Sequence, residues 1–251
     1  MAGRPPLAVS SRENPWFKRF AHAARDHDEE IIIEGPKSIR DAIGRGLDPL
    51  ALAGVAEATT LGDITPSIVF TPRLFREISD VATAQGLVAL FRRPETSVDS
   101  LFAGDGVLIA LDGVQDPGNV GTIVRLAAAF DAGGVVLLEG CADPFGPKSL
   151  RASAGAALLV PIVRTDHQVL LETVLRHKFD LYAASPSGQD GHPVPSQRAV
   201  IVLGSEGNGV SEVITARARS LTILMSPRIE SMNVASAAAI LLARSFEKRT
   251  G

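Results

Sequence analysis

Ala199-Val-Ile-Val-Leu-Gly-Ser-Glu-Gly-Asn-Gly209 is the stretch that decides how this chain folds. Its opening residues, Ala199 to Leu203, form one unbroken apolar run. Such a run belongs to a strand buried on both faces, hence to a parallel sheet covered by helices. The residues that follow are small or polar, so the strand gives way to a glycine-rich loop bearing one carboxylate, Glu206. Further along, Glu230-Ser-Met-Asn-Val-Ala-Ser236 sets Ser231 and Asn233 just ahead of an alanine-rich helix. In an open α/β sheet, small ligands bind where strands end in loops of this kind. A carboxylate between glycines at a strand end is a stronger site candidate than a scattered surface glutamate. Helix capping explains one of Ser231 and Asn233 but hardly the whole cluster.

Working outward, apolar runs recur at 107–111, 135–138, 161–163, 181–184 and 221–225. Helical patterns lie between or after them at 118–131, 147–155, 167–177, 211–217 and 233–248. Residues 105–251 therefore read as an α/β domain with a mostly parallel sheet. The polar, proline-containing segment 94–104 reads as a linker. Before it, residues 11–93 read as a smaller α/β domain, with 1–10 as a tail. Its expected strands are 29–34, 49–55, 67–70 and 87–92, with helices over 13–25, from Gly35-Pro36 and after Pro72. A proline in a first helical turn does little harm, because its missing N–H has no partner there.

Composition sets the outer limits. A chain of 251 residues with 45% apolar and 21% charged residues is globular, with room for one large or two small domains. A net charge of −3 excludes a wholesale cationic surface, so any nucleic-acid binding needs a local patch. The single cysteine, Cys141, has no internal disulfide partner; this fits a reducing compartment and a small buried hydrophobe. The start, Met1-Ala-Gly-Arg-Pro-Pro, lacks the apolar core of a signal peptide, and no apolar run approaches the ~20 residues of a membrane span. The expectation is a soluble cytoplasmic protein without membrane association. No grouping of His, Cys and carboxylates suggests a metal.

Common nucleotide motifs fail. After 107–111 comes Asp112-Gly-Val-Gln-Asp-Pro-Gly-Asn119, which lacks the G-x-G-x-x-G spacing of a dinucleotide site. Gly146-Pro-Lys-Ser149 approaches a phosphate loop, but Pro147 removes an N–H from the cradle such a loop needs. Asp116-Pro-Gly-Asn-Val-Gly-Thr-Ile-Val-Arg125 reads as a turn running into a helix. The ordinary use of Asn119 at such a place is a helix cap. Arg125 lies six residues later, toward the other side of the helix, where a surface ion pair is the ordinary use.

Together these segments resemble the three motifs of the SpoU family of RNA ribose 2′-O-methyltransferases, the TrmH-like branch of the knotted SPOUT class. Asp116–Arg125, Leu203–Gly209 and Glu230–Ala235 match in order, and Lys148–Gly155 followed by Pro161 is also similar. Ser11-Arg-Glu-Asn-Pro15 and Ile33-Glu-Gly35 resemble the family's RNA-binding module, which is similar to a small ribosomal-protein fold. The chain departs from the pattern at Ile223-Leu-Met225, where Ile-Pro-Met is usual, and at Pro227, where glycine is common. Met232 and Ala235 also replace the usual Leu and Ser.

The resemblance implies a C-terminal trefoil knot and S-adenosylmethionine as methyl donor. It implies cofactor contacts from Ala184, Ser185, Gly188, Leu203, Gly204, Glu206, Gly209, Ile223, Met225, Ser231 and Val234. Arg125 would act at the ribose 2′-hydroxyl. Because a guanidinium stays protonated, it is better suited to hold a phosphate and a developing alkoxide than to accept a proton. Asn119, Glu206, Ser231 and Asn233 would orient the reactants. A homodimer is implied too, and the alanine-rich 235–243 face would suit either a partner or close packing within the chain. RNA, ribosomal rather than transfer, would be held by Arg12, Lys18, Arg19, Lys37, Arg40 and Arg45, with Trp16 and Phe17 either stacking on bases or anchoring their helix. Two other readings stay open: an RNA-binding protein that keeps the fold without methyl transfer, and a knotted methyltransferase acting on a base.

Overall fold

The computed structural model describes residues 5–56, 65–79, 86–185, 194–226 and 228–251. The chain divides into two compact units, 1–93 with 145–147, and 94–144 with 148–251.

In the first unit, strands β1 (Leu7–Val9), β2 (Glu30–Glu34), β3 (Ala51–Gly54), β4 (Ile68–Phe70) and β5 (Leu87–Arg92) form one sheet in the order β1-β4-β3-β5-β2. β5 runs antiparallel to β2 and β3, whereas β4 is parallel to β1 and β3. Residues 7–9, expected as tail, are thus a strand: Leu-Ala-Val can pair along the edge, and Val9 is buried. Helices α1 (Pro15–Ala23), α2 (Pro36–Gly44) and α3 (Pro72–Ile78) each begin with proline. α1 is shorter than the expected 13–25 because Asn14 caps it, accepting the Trp16 N–H at 2.9 Å. Such a cap contributes about 1 kcal/mol. Phe17 and Phe20 pack edge-on against Phe70 in the core.

The second unit holds a six-stranded, wholly parallel sheet in the order β11-β9-β10-β6-β7-β8. Its strands are β6 (Val107–Asp112), β7 (Gly134–Leu137), β8 (Ile162–Arg164), β9 (Asp180–Ser185), β10 (Ala199–Gly204) and β11 (Arg219–Thr222). The helices are α4 (Val98–Leu101), α5 (Pro117–Ala129), α6 (Pro147–Ser153, in this unit from Lys148 on), α7 (His167–His177), α8 (Glu212–Thr215) and α9 (Val234–Thr250). Ala199–Leu203 of β10 is at most 1% exposed, as a strand covered on both faces requires. From β6 the chain adds β7 and β8 on one side, then crosses to build β9, β10 and β11 on the other. The strand order therefore reverses between β6 and β10, and the crevice at their C-terminal ends is where such sheets place ligands.

Two expected boundaries shift. Within 94–104, expected as linker, Ser97 caps α4, and Leu101 and Phe102 are buried in the second unit's core. Apolar side chains spaced along a polar segment are enough to draw it in. The last strand ends at Thr222 rather than continuing to Met225, so Ile223 and Met225 leave the sheet and become available to a cavity.

Candidate active site

Three loops meet at the β6/β10 crevice, and hydrogen bonds join them. The Asn119 Nδ2 donates to Glu206 Oε1 at 2.8 Å. The Asn233 Nδ2 donates to the same Glu206 oxygen at 3.2 Å and to Asn119 Oδ1 at 3.1 Å. The three residues thus close a ring of side chains drawn from the three segments singled out in the sequence. Asn233 also caps α9, its Oδ1 accepting from Ala235 and Ser236 N–H at 2.9 and 3.3 Å.

Asn119 is not the cap of α5. Asp116 takes that place, its Oδ1 accepting the Asn119 N–H at 2.8 Å, which leaves the Asn119 amide free to reach Glu206. The helix starts at Pro117, where proline is favoured, so the cap falls one residue before it. The Lys148 Nζ lies 3.2 Å from Asp116 Oδ2. The Asn119 backbone N–H first, and the Lys148 ammonium second, hold the Asp116 carboxyl below its ordinary range. A carboxyl lowered in the folded state stabilises above its unfolded pKa and loses that contribution as pH falls through the folded value. Asp116→Ala is therefore expected to melt earlier than the parent at neutral pH, with the gap closing in strong acid. A gap independent of pH in paired thermal melts would show that the charged cap is not responsible.

Gly204 fixes the loop that carries Glu206. A Cβ there would lie 1.9 Å from the Gly209 carbonyl carbon and 2.2 Å from the Val210 nitrogen. The turn closes through Gly209 N–H to Ser205 O at 2.9 Å, and Gly209 itself has φ +66°. Gly121, in the first motif, serves packing: a Cβ would meet the Ser149 carbonyl oxygen at 2.3 Å, where α5 lies against α6.

Beside the ring opens a cavity. Ala184 and Ser185 line it from the end of β9, and Leu203, Gly204, Glu206 and Gly209 from the end of β10 and its loop. Ile223 and Met225 approach from beyond β11, with Ser231 and Val234 from the entry to α9. Every expected cofactor contact among the described residues is therefore gathered here. Gly188 and Pro227 lie outside the described residues. Ser205, Leu221, Met232 and Ala237 also line the cavity. Ser205 and Met232 sat inside the quoted motifs, whereas nothing in the sequence singled out Leu221 or Ala237. At the departure from the family pattern, Leu224 is 91% exposed while Ile223 and Met225 face the cavity, so the replaced proline lies off the lining.

Arg125 is not part of this ring or lining. It stands exposed on α5, with no hydrogen bond or ion pair among the described residues. Cys141 is buried, its thiol pushed up by that burial, and its Sγ lies 3.1 Å from Leu111 O, as suits a core residue.

In the first unit the expected RNA contacts fall into two groups. Arg12 pairs with Glu77 at 2.7 Å, Lys18 with Glu13 at 2.5 Å, and Arg19 with Glu30. Lys37, Arg40 and Arg45 are exposed, without such partners among the described residues. Phe17 is buried and Trp16 packs against the same core, with Arg19 over its ring at 5.2 Å, which is the anchoring arrangement. Among the described residues, no helix is long and apolar enough to cross a membrane, and no group of His, Cys and carboxylates could hold a metal.

A wholly parallel sheet with a cavity and an amide–carboxylate ring at its switch point defines a ligand-binding α/β domain. Residues 106–243 match the model of the SpoU rRNA Methylase family, and the chain belongs to that family. It is 40% identical over 256 residues to an uncharacterized tRNA/rRNA methyltransferase of Synechocystis, covering 94% of this chain and 92% of that one. It is 28% identical over 241 residues to the 23S rRNA (guanosine(2553)-2′-O)-methyltransferase RlmP of Bacillus subtilis, covering 94% and 96%. The crystal structure of an AdoMet-bound rRNA methyltransferase from Sinorhizobium meliloti superposes with a TM-score of 0.82 over 97% of this chain and 98% of that one; at 24% identity the likeness is one of fold.

Proposed function

We propose that the chain transfers a methyl group from S-adenosylmethionine to a ribose 2′-hydroxyl of structured RNA, ribosomal rather than transfer RNA. The observation that carries this reading is the Asn119–Glu206–Asn233 ring on the rim of the cavity. The cavity suits the donor. Leu203, Leu221, Ile223 and Val234 give an apolar wall for a purine, and the lack of a side chain at Gly204 lets the adjoining turn close tightly against Gly209 and Val210.

S-adenosylmethionine would supply an electrophilic methyl on a sulfonium; its transfer to the 2′-oxygen would leave the thioether and release the hydroxyl proton to solvent. The chain's part is alignment and charge. Glu206, fixed by two amides, orients the groups at the rim. Its Oε2 has no hydrogen-bond partner among the described residues, which leaves it able to accept a hydrogen bond from a reactant. Arg125, with no ion pair among the described residues, is the cation that holds a neighbouring phosphate and stabilises the developing alkoxide. Lys37, Arg40 and Arg45, rather than the ion-paired Arg12, Lys18 and Arg19, are the better candidates to attract RNA, because a paired cation offers a phosphate less.

The reading extends to a trefoil knot in the second unit, a homodimer and a cytoplasmic place, all of which rest on family membership. In the structure Ala235 and Ala238 are already covered within the unit, with α9 packed on α5. The ribosomal preference is supported by the name of the Bacillus relative. Calorimetry with S-adenosylmethionine tests the reading: one site per chain with a measurable heat is expected. No heat would leave an RNA-binding protein that keeps the fold alone.

A further inference from the structure

Asp112 is a buried carboxylate for which the proposed chemistry has no use. It ends β6, in register with Gly204 of β10, and is only 7% exposed. A buried carboxylate persists only when its oxygens are hydrogen-bonded. Here Oδ1 meets His167 Nε2 at 2.9 Å, and Oδ2 accepts the Ser211 N–H at 2.9 Å. His167 opens α7, and its Nδ1 lies 3.9 Å from Glu139 Oε2.

Ser211 follows directly on the loop that carries Glu206. That loop is pinned at its start by the Ser205–Gly209 turn, where Asn208 N–H also donates to Ser205 Oγ at 3.2 Å. At its end it is pinned by Asp112. The pinned loop is shared between two cavities. Its Ser205, Glu206 and Gly209, with Val234 of α9, line the cavity proposed for the cofactor and also a second cavity lined by 112–116. A shift of the loop alters both cavities at once.

We propose that Asp112, braced by His167, is a positioning residue that sets the Glu206 loop for methyl transfer through the Ser211 amide, without touching substrate or cofactor. The proposal rests on the methyl-transfer reading for its consequence and on the hydrogen bonds alone for its structure.

The full chain is tested as Asp112→Ala, Asp112→Asn and His167→Gln, each alone and combined with Glu206→Ala. Turnover with S-adenosylmethionine and RNA is read beside amide hydrogen exchange over 205–211. Asp112→Ala is expected to lose about ten- to hundredfold protection at Ser211 and its neighbours. Its turnover should fall by up to about 10²-fold, as for a slight misplacement of reacting groups. Added to Glu206→Ala, it should cost no further turnover, because it acts through that residue. Asp112→Asn keeps an acceptor for Ser211, and His167→Gln keeps a donor for Asp112, so both should recover most of the loss. Unchanged exchange over 205–211 overturns the proposal, and so does a loss that adds in full to Glu206→Ala. Should Asp112→Ala fail to fold, His167→Ala removes the brace alone and carries the same two readouts. A parent without methyl transfer, combined with faster exchange in Asp112→Ala, would sink the methyl-transfer reading while supporting the loop role.

Discussion

Arg125→Ala is expected to lower methyl transfer by about 10²–10³-fold while leaving the affinity for S-adenosylmethionine unchanged. The size follows from removing one preorganised cation from a developing oxyanion. The selectivity follows from geometry, since Arg125 is on α5 and outside the lining of the cavity proposed for the cofactor. Arg125→Lys should recover only part of the rate, because an ammonium lacks the planar fork that grips a phosphate at two points. Single-turnover rates set beside calorimetric affinities give the answer. Undiminished turnover would remove Arg125 from the mechanism, and a parallel loss of cofactor binding would make its role structural.

The second large effect is expected at Gly204→Ala. The added methyl would lie within 2.2 Å of Gly209 and Val210 backbone atoms, and backbone cannot step aside as a flexible side chain can. The cost should exceed the ~1–3 kcal/mol of ordinary overpacking. Relief requires opening the turn that presents Glu206, so cofactor affinity should fall at least about tenfold, a loss of ~1.4 kcal/mol in binding. Gly207→Ala is the control, because nothing lies within 4 Å of a Cβ there. Equal behaviour of the two variants in calorimetry and thermal melts would contradict the steric argument.

Much of this was legible because the second unit obeys one strong rule. A strand covered on both faces has no polar position to spare, so Ala199–Leu203 and Val107–Leu111 announce themselves as apolar runs. The site followed from where those runs stop. What stayed hidden depended on contacts between distant segments. Pro117 points locally to Asp116 as the cap of α5, but what the Asn119 side chain then does depends on Glu206, which lies 87 residues away. Lys148 stood inside a quoted motif, yet its partner Asp116 is visible only in three dimensions. Leu7–Val9 is a strand only because β4 offers an edge, and Arg12 and Arg19 read as free until Glu77 and Glu30 are seen beside them. Arg125 is the reverse case: sequence resemblance singles it out, whereas the structure gives it exposure and no partner among the described residues.

The central claim is the atom that receives the methyl group. Incubating the protein with S-adenosylmethionine and ribosomal RNA, digesting the RNA to nucleosides and weighing base and sugar fragments separately by mass spectrometry locates it directly. Added mass is expected on the ribose fragment, accumulating about 10²–10³-fold more slowly for Arg125→Ala. A methyl group on the base, or none on any RNA despite bound cofactor, would contradict it.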